Sequence, residues 1–402
     1  MIDVPKAADV VIVGGGAHGA SLAYHLARKR AGRVLLLERK FIASGPTGVG
    51  TAMVRRYYGM DFFTRTASAA ADLFQHWADL IGGGDPGFQQ VGYYVLVGAR
   101  EAPDLRRNVV RAQELGARVR LVTPGDLKAQ VPQMAVDDIA AASYEEESGY
   151  ANSFATANAL ANRARDLGAI IVQGVVVERI RTREHRVLGV EASAGAIDAP
   201  VVVNCAGLYA SRLLRPLGID IEITPTRHQM CFFRRPPKFS SHPAVVDRLN
   251  GTYMRPAAGG LTLHGVGSYD EVVDPDDYDE GADSQEIRRN ATLIARRFPL
   301  MAAAAPWGGY AGLYDVTPDK QPVLGAISRY EGLYADFGWS GHGFKHAPFI
   351  GDLLSDLILY GTTKDYDITP FRWSRFEEGD LIPTASWTAP PHEKLRGGYV
   401  AR

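Results

Sequence analysis

Three glycines near the start of the chain, Gly14, Gly16 and Gly19, have the spacing G-x-G-x-x-G, which is typical of a loop that binds dinucleotide phosphates. The first glycine permits a tight turn, the second lets a pyrophosphate approach the backbone, and the third lets a helix pack closely on a strand. Glu38 stands where a carboxylate accepts hydrogen bonds from ribose hydroxyls, and its charge would repel the 2′-phosphate of NADP despite the adjacent Arg39. The pattern therefore predicts hydride chemistry with FAD or NAD and does not distinguish the two.

A βαβ unit must position this loop. Residues 9–13 are a short, β-branched run that ends in glycines, which predicts a buried strand. Residues 18–30 carry apolar side chains at helical spacing, and residues 33–38 predict a second buried strand. The loop thus opens a helix between two strands, as a dinucleotide site requires.

Further strand and helix patterns follow along the chain. We predict helices over residues 61–80, 102–115, 154–167, 284–298 and 348–360, and strands over residues 92–97, 169–172, 175–180, 201–205 and 333–337. Pieces that resemble a parallel sheet occur in three blocks, with antiparallel-looking material between them. We therefore expect an α/β fold in which a discontinuous Rossmann-like domain carries an inserted α+β domain with an antiparallel sheet. The segments are 1–84, 151–220 and 311–376 for the nucleotide-binding domain, 85–150 and 221–310 for the inserted domain, and 377–402 for a tail.

Composition narrows the class of protein. The chain has 402 residues, 46% of them hydrophobic, which favours two domains, and its 44 basic and 45 acidic side chains give no surplus for nucleic acid. Cys205 and Cys231, the two cysteines, cannot form a disulfide framework or a four-cysteine metal site. No apolar run reaches the roughly 18 residues that a membrane helix needs. We expect a cytoplasmic protein without a metal.

Three later segments carry a family resemblance. They are residues 202–214 (VVNCAGLYASRLL), 316–325 (VTPDKQPVLG) and 338–348 (GWSGHGFKHAP). Together with the glycine fingerprint, they resemble the D-amino-acid-oxidase-like superfamily of flavoproteins, and within it the sarcosine oxidase and dimethylglycine dehydrogenase branch. The resemblance extends to about residue 376 and implies an FAD-dependent oxidoreductase.

The resemblance also implies which residues bind FAD. The candidates are Gly14, Gly16, Ala17, Gly19, Glu38, Arg39, Thr47, Thr51, Val177, Ala206, Gly207, Gly341, His342, Gly343, Phe344 and Lys345. The glycine loop at 341–345 precedes a helix whose positive end would favour the negative charge of a reduced flavin. Relatives often attach flavin through a cysteine near the position of Gly312 or a histidine in the 44–51 loop, and neither residue occurs here. We therefore expect noncovalent FAD.

Substrate contacts are implied by the same resemblance. In the family, a lysine at the position of Lys345 pairs with the substrate carboxylate. A second carboxylate binder is the arginine of an I-R-x-x-Y-G segment, and residues 54–59 (VRRYYG) make Arg55 the candidate. Arg56 is the alternative inward arginine, and Lys345 is alternatively a solvated surface lysine. Tyr253 matches a tyrosine that lines the substrate pocket and is alternatively a core residue.

One position departs from the family pattern. Monomeric sarcosine oxidases have a lysine that promotes the reaction with oxygen, and Thr262 stands there in this chain unless the strand register slips. The sequence therefore leaves open whether the enzyme is an oxidase or a dehydrogenase. His264 faces the same side of the strand, either as a catalytic proton relay or cation, or as a core or surface histidine.

These residues predict oxidation of a small, carboxylate-bearing amine by hydride transfer to flavin N5, followed by hydrolysis of the imine. Oxygen, a quinone or an electron-transfer protein would reoxidise the flavin. Three alternatives stay open: an FAD dehydrogenase for 2-hydroxy acids or glycerol phosphate, a flavin-binding subunit of a multi-chain oxidase, and an NAD-dependent dehydrogenase. A homo-oligomer is also possible.

Overall fold

The computed structural model describes residues 4–383. Its strands are β1 Val10–Val13, β2 Val34–Glu38, β3 Met53–Val54, β4 Gln89–Gln90, β5 Tyr93–Val97, β6 Arg120–Val122, β7 Ala141–Glu145, β8 Gly149–Tyr150, β9 Ile170–Gln173, β10 Val177–Arg183, β11 Arg186–Ala192, β12 Gly195–Asp198, β13 Val201–Asn204, β14 Thr224–Arg234, β15 Ala244–Asp247, β16 Thr252–Ala257, β17 Leu261–Val266, β18 Ala305–Val316, β19 Val323–Ala326 and β20 Leu333–Phe337. Its α-helices are α1 Ala17–Arg28, α2 Asp61–Gln75, α3 Trp77–Leu80, α4 Ala102–Glu114, α5 Pro124–Gln130, α6 Ser153–Asp166, α7 Ala210–Leu214, α8 Ser284–Arg297, α9 Ala347–Tyr360 and α10 Arg375–Glu378. Short 3-10 segments lie at Gly207–Tyr209, Arg215–Leu217, Ala258–Gly260, Pro299–Ala303 and Thr369–Phe371.

A six-stranded sheet within residues 4–383 has the order β19-β20-β13-β1-β2-β9. Its strands are parallel except for the β19–β20 pair at one edge. Val10 and Ile12 pack against α1, α6 and α9, while Val11 and Val13 pack against the β10–β12 sheet and α7. Because both faces are covered, β1 and β2 are buried along their whole length, which is why their sequences are continuously apolar. The expected Rossmann-like α/β sheet is therefore present.

A second sheet of eight strands in the described chain has the order β18-β14-β17-β16-β15-β5-β7-β6. All neighbours are antiparallel except β15 and β5. One face packs beneath α8, where Cys231, Phe233 and Met254 meet Ile294 and Phe298. The opposite face approaches the loops of the first sheet, since a side chain at position 312 would touch Val49. The division of the chain into six domain segments stays a prediction.

The helix predicted over residues 61–80 is divided into two helices in the structure. The expected helix over residues 61–80 breaks at His76, whose φ of −114° and ψ of 35° are not helical. The break buries Trp77 against Phe74, at 5.8 Å between ring centroids, and lets Trp77 Nε1 donate to the Gly83 carbonyl at 2.9 Å. Trp77 thereby joins the hydrophobic core that α1 and α6 share, which the helical pattern of the sequence does not indicate.

Two further predictions concern the termini and the membrane. Most of the predicted tail, residues 384–402, lies outside the described residues. Among residues 4–383, no helix is both long and apolar enough to cross a membrane.

Candidate active site

The glycine fingerprint forms a loop that has no room for side chains. Gly14 has a φ of +110°, and a Cβ there would lie 2.4 Å from the Cys205 carbonyl oxygen. A Cβ at Gly19 would lie 2.0 Å from the carbonyl oxygen of Gly14. Gly16 is the N-cap of α1, in an extended conformation and without a side-chain cap. The positive end of α1 therefore faces the space that a pyrophosphate would enter.

Thr47 and Glu38 lie beside this loop. Thr47 Oγ1 accepts a hydrogen bond from the Ala17 amide at 3.1 Å. The buried Glu38 carboxylate accepts from the amides of Gly15 at 2.7 Å and Lys40 at 2.8 Å, which fixes it at the carboxyl end of β2. This is the predicted position for contact with a ribose.

The remaining predicted cofactor residues flank the same edge of the sheet. The segment before Val177 is held against β2 by bonds from the Val175 amide to the Glu38 carbonyl, at 3.0 Å, and from the Gly174 amide to the Lys40 carbonyl, at 3.0 Å. Ala206 and Gly207 follow β13, on the other side of β1. Thr51 and Arg39 contact residues outside this edge: the Thr51 carbonyl accepts from Arg255 Nε at 2.6 Å, and Arg39 lies over the ring of Tyr209.

Two carboxylates, on the half-buried Asp315 and the buried Asp336, hold the loop at 338–346. Asp315 accepts hydrogen bonds from the amides of Gly338 at 2.8 Å and Ser340 at 3.2 Å. Asp336 accepts from Trp339 Nε1 at 2.7 Å and lies 2.9 Å from His18 Nδ1. The His18 and Trp339 rings stack with centroids 4.6 Å apart. The loop that carries Gly341, His342, Gly343, Phe344 and Lys345 is thereby fixed at the start of α9.

Gly343 fits tightly against the same two rings. A Cβ there would lie 2.6 Å from Trp339 Cβ and 2.8 Å from His18 Nε2. We expect Gly343→Ala to lower the free energy of unfolding by about 1–3 kcal/mol, because one of the rings must move. Thermal unfolding measures this, with Gly125→Ala as control, since a Cβ at Gly125 meets nothing closer than 3.7 Å. Equal melting temperatures for the two variants would show that the loop has more room than the structure indicates.

Arg55 and Lys345 are brought together in the interior. The Arg55 guanidinium lies 3.9 Å from the centroid of the Tyr58 ring, and Lys345 Nζ lies 5.8 Å from the same centroid. Their residues are 1% and 8% exposed, so Lys345 is not a solvated surface lysine. Lys345 Nζ donates to the His342 carbonyl at 3.2 Å, and among residues 4–383 it forms no ion pair. Burial, and secondarily the charge of Arg55, hold the pKa of Lys345 well below its usual range.

Arg56 is buried as well, but it has a different role. Its guanidinium binds the Ser68 carbonyl at 3.0 Å, Gln75 at 2.7 Å, Asp72 at 2.8 Å and Glu147 at 3.4 Å. The backbone beside it is fixed by the buried carboxylate of Glu145, which accepts from the amides of Arg56 at 2.6 Å and Tyr57 at 3.0 Å. Arg56 thus ties α2 to the end of β7, and the same bonds position the Arg55 segment.

Neutral histidines surround the two cations. Burial, with a contribution from the charge of Lys345, lowers the pKa of His342 to about 3 and the pKa of His346 well below its usual range. His346 Nδ1 lies 3.0 Å from Thr66 Oγ1, and His342 Nε2 lies 3.4 Å from the Lys320 carbonyl. The two histidines therefore add no positive charge beside Arg55 and Lys345.

Tyr253 lies on the face of the eight-stranded sheet that meets this loop. Its hydroxyl is 3.6 Å from Met230 Sδ and hydrogen-bonds with Tyr314. The Tyr314 ring packs beneath Gly341, where a Cβ would lie 2.5 Å away, and stacks on His228 at 3.5 Å between centroids. Burial raises the pKa of Tyr253 well above its usual range. Tyr58, Tyr314 and His228 were not predicted from the sequence. Alternation along β14 could have indicated His228, because it places His228 on the face opposite Cys231, which packs beneath α8.

His264 and Thr262 point the other way. Their strand pairs His264 with Cys231 and Met254, which face α8, and His264 Nδ1 bonds to Asn290 of that helix. Thr262 Oγ1 lies 2.9 Å from His242 Nε2 in the same core. Burial lowers the pKa of His264 to about 4, so the ring is neutral. The structure therefore does not bring His264 together with Arg55, Tyr253 and Lys345, because strand alternation places it on the opposite face.

Comparison with known proteins identifies the family. A family model described as FAD dependent oxidoreductase (DAO) matches residues 9–357. The chain belongs to this family. It is 27% identical to sarcosine oxidase subunit beta of Arthrobacter sp, over 96% of this chain and 95% of that protein. It is 26% identical to mouse mitochondrial sarcosine dehydrogenase, over 99% of this chain but only 46% of that longer protein. L-proline dehydrogenase from P. horikoshii has a similar structure, with a TM-score of 0.86 at 27% identity over 94% of this chain and all of that one.

The described residues of this FAD-dependent oxidoreductase fit its cofactor. The loop at Gly14 and Gly19 admits only backbone, and Gly16, the N-cap residue of α1, has no side chain of its own to cap the helix. Glu38 stands at the end of the neighbouring strand with its carboxylate already oriented. A pyrophosphate beside a ribose matches both features.

Proposed function

We propose that this enzyme oxidises the C–N bond of a small amino acid or N-alkyl amino acid, and that its FAD is bound noncovalently. The observation that carries the proposal is the buried pair of cations, Arg55 and Lys345, near one aromatic ring. Two buried positive charges are stable together when an anion joins them, and a carboxylate matches the planar guanidinium with two parallel hydrogen bonds. The two side chains would therefore bind the carboxylate of a small substrate.

The chain's own residues divide the work. The backbone at Gly14, Gly16, Ala17 and Gly19 would hold the pyrophosphate, Glu38 the ribose, and Thr47, Thr51, Val177, Ala206 and Gly207 the flanks of the cofactor. FAD, when bound, supplies the hydride acceptor. Arg55 and Lys345 bind and orient the carboxylate, while Tyr253, which hydrogen-bonds with Tyr314, would line the substrate pocket. Because Arg55 and Lys345 already place two charges there, the site favours the neutral amine over the ammonium. The resulting imine hydrolyses in water.

A substrate panel tests this proposal. The holoenzyme would be assayed by dye reduction with N-methyl, cyclic and primary amino acids, and with 2-hydroxy acids and glycerol phosphate as controls. We expect turnover with amino acids and formation of an oxo acid or aldehyde. Turnover with hydroxy acids alone would leave the cofactor assignment intact and overturn the amine assignment. The same assay with oxygen in place of the dye distinguishes an oxidase from a dehydrogenase.

A second candidate is a catalytic subunit of a larger assembly. One relative is named as a subunit of sarcosine oxidase, and it matches this chain over nearly its whole length. Purification of the chain from its native source and determination of its mass would test this, because a subunit would co-purify with a different chain. A homo-oligomer and a cytoplasmic location stay predictions.

Binding of a simple carboxylate should weaken as pH rises. The pKa of Lys345 lies below its usual range because of burial and the charge of Arg55. The anion needs the charged lysine, so affinity is full below this lowered pKa and falls as pH passes through it. Titration of the flavin absorbance with propanoate, which has no amine to titrate, measures the effect at neutral and alkaline pH. We expect Lys345→Met to abolish the pH dependence and Lys364→Met, on the surface, to keep it. An unchanged profile in Lys345→Met would contradict the assignment.

A further inference from the structure

A pair of side chains spans the cleft in which the cofactor must lie. In the parallel sheet, β1 lies between β2 and β13, and the carboxyl ends of all three strands meet at one edge. Dinucleotides bind at such an edge, where the chain leaves the central strand in opposite directions. Arg39 follows β2 directly, and Tyr209 stands in the short helical turn after β13. A contact between these two residues therefore crosses the end of β1 and its glycine loop.

The contact is a close one. The Arg39 guanidinium carbon lies 3.8 Å from the centroid of the Tyr209 ring, and its Nη2 donates to the Tyr209 hydroxyl at 2.8 Å. Asp276 joins them from a third direction. Its Oδ1 accepts from the Tyr209 hydroxyl at 2.8 Å and lies 3.4 Å from Arg39 Nη1, while its Oδ2 accepts from Arg212 Nη2 at 2.8 Å. These bonds and the Arg212 charge lower the pKa of Asp276, so the carboxylate is ionised at neutral pH.

Asp276 comes from a distant and well-anchored part of the chain. It lies in the segment between β17 and α8, which belongs to the side of the eight-stranded sheet. Near Asp276 the segment is tied to β14 through bonds from the Val273 amide to the Pro225 carbonyl, at 3.2 Å, and from the Arg227 amide to the Glu271 carbonyl, at 2.8 Å. Asp276 is therefore presented to Arg39 and Tyr209 by a fixed support, and the contact joins the two sheets across the cleft.

We propose that Arg39, Tyr209, Arg212 and Asp276 form a latch that closes over bound FAD and slows its release. The side chains of Arg39, Arg212 and Asp276 are 37%, 57% and 45% exposed, so water and salt reach the latch. Exposed ion pairs are individually weak and screened by salt, which lets the latch open for the cofactor to enter or leave. Arg39 thus retains the cofactor through Tyr209 and Asp276. The proposal rests on FAD binding alone and is independent of which substrate the enzyme oxidises.

The rate at which bound FAD exchanges with isotopically labelled FAD tests the latch. The holoenzyme, Asp276→Asn and Tyr209→Phe would be compared, with Asp277→Asn as control because Asp277 is exposed in the same segment and its side chain takes no part in the latch. We expect FAD to exchange about tenfold faster in both latch variants than in the native protein, because each variant loses a few weak charged contacts. Added salt should speed exchange in the native protein and the control, but much less in Asp276→Asn.

Two results would overturn the proposal. One is exchange in both latch variants at the rate of the native protein and of Asp277→Asn. The other is the same acceleration in Asp277→Asn as in Asp276→Asn, which would indicate a general effect of charge in the segment. The melting temperature of each apoprotein separates a loosened latch from a loosened fold, since exposed substitutions of this kind leave it nearly unchanged.

Discussion

Arg55→Met is expected to raise the KM for a carboxylate-bearing amine by about a hundredfold or more, because the variant loses a buried, charge-assisted contact with the carboxylate. Arg55 lies in the interior beside Lys345, and the carboxylate would bind between them. Methionine keeps most of the volume and removes the charge. The pKa of Lys345 should rise in the variant, because the charge of Arg55 helps to lower it. The fold should survive, since the substitution removes a buried positive charge close to another.

Kinetics on paired substrates measure this effect. The amine would be compared with its carboxamide, which lacks the anion, and Arg55→Met should reduce the difference between the two. Arg56→Met is the matched control, because Arg56 binds Asp72, Gln75 and Glu147 rather than the site. We expect that control to lower the melting temperature and to leave the preference for the carboxylate. If the preference for the carboxylate persisted in Arg55→Met and disappeared in Arg56→Met, the carboxylate would be bound by Arg56 and the assignment to Arg55 would be wrong.

Gly19→Ala is expected to yield a folded protein that binds FAD at least about a hundredfold more weakly than the native protein, because the new side chain must displace backbone in a packed loop. The new Cβ would lie 2.0 Å from the Gly14 carbonyl oxygen, so the start of α1 must shift away from β1. That shift displaces the amides that receive the pyrophosphate. Purified protein should therefore be colourless.

Titration of the apoprotein with FAD, followed by flavin fluorescence, measures the loss. Gly45→Ala is the control in the neighbouring loop, because a Cβ at Gly45 meets nothing within 4 Å. It should bind FAD like the native protein. A yellow Gly19→Ala protein with native affinity would show that the close packing at this glycine is dispensable.

Local patterns made the nucleotide-binding edge predictable. The spacing of Gly14, Gly16 and Gly19, the strand before them and the acid at Glu38 all lie within one βαβ unit, so sequence neighbours are also spatial neighbours. The family resemblance supplied Arg55 and Lys345. The structure brings them close to one ring, although they lie far apart along the chain.

Other features depend on contacts between distant parts of the chain, and these could not be predicted from the sequence. Alternation along β17 places Thr262 and His264 on one face, but only the register of β16 and β17, which pairs Tyr253 with Gly265 and Met254 with His264, turns this face away from Tyr253 and towards α8. The helix over residues 61–80 breaks at His76, beside Trp77, which lies in the core shared with α1 and α6. Arg39 was predicted as a cofactor residue, and no local pattern connects it with Asp276.

The reductive half-reaction tests the central claim most directly. The holoenzyme would be mixed anaerobically with an N-methyl, cyclic or primary amino acid, while the flavin absorbance and the carbonyl product are followed together. We predict that an amino acid bleaches the yellow flavin and that carbonyl product forms in an amount equal to the flavin reduced. A 2-hydroxy acid should leave the yellow colour unchanged. Bleaching by hydroxy acids alone would contradict the proposed amine oxidation, and a colourless protein that takes up no FAD would contradict the account as a whole.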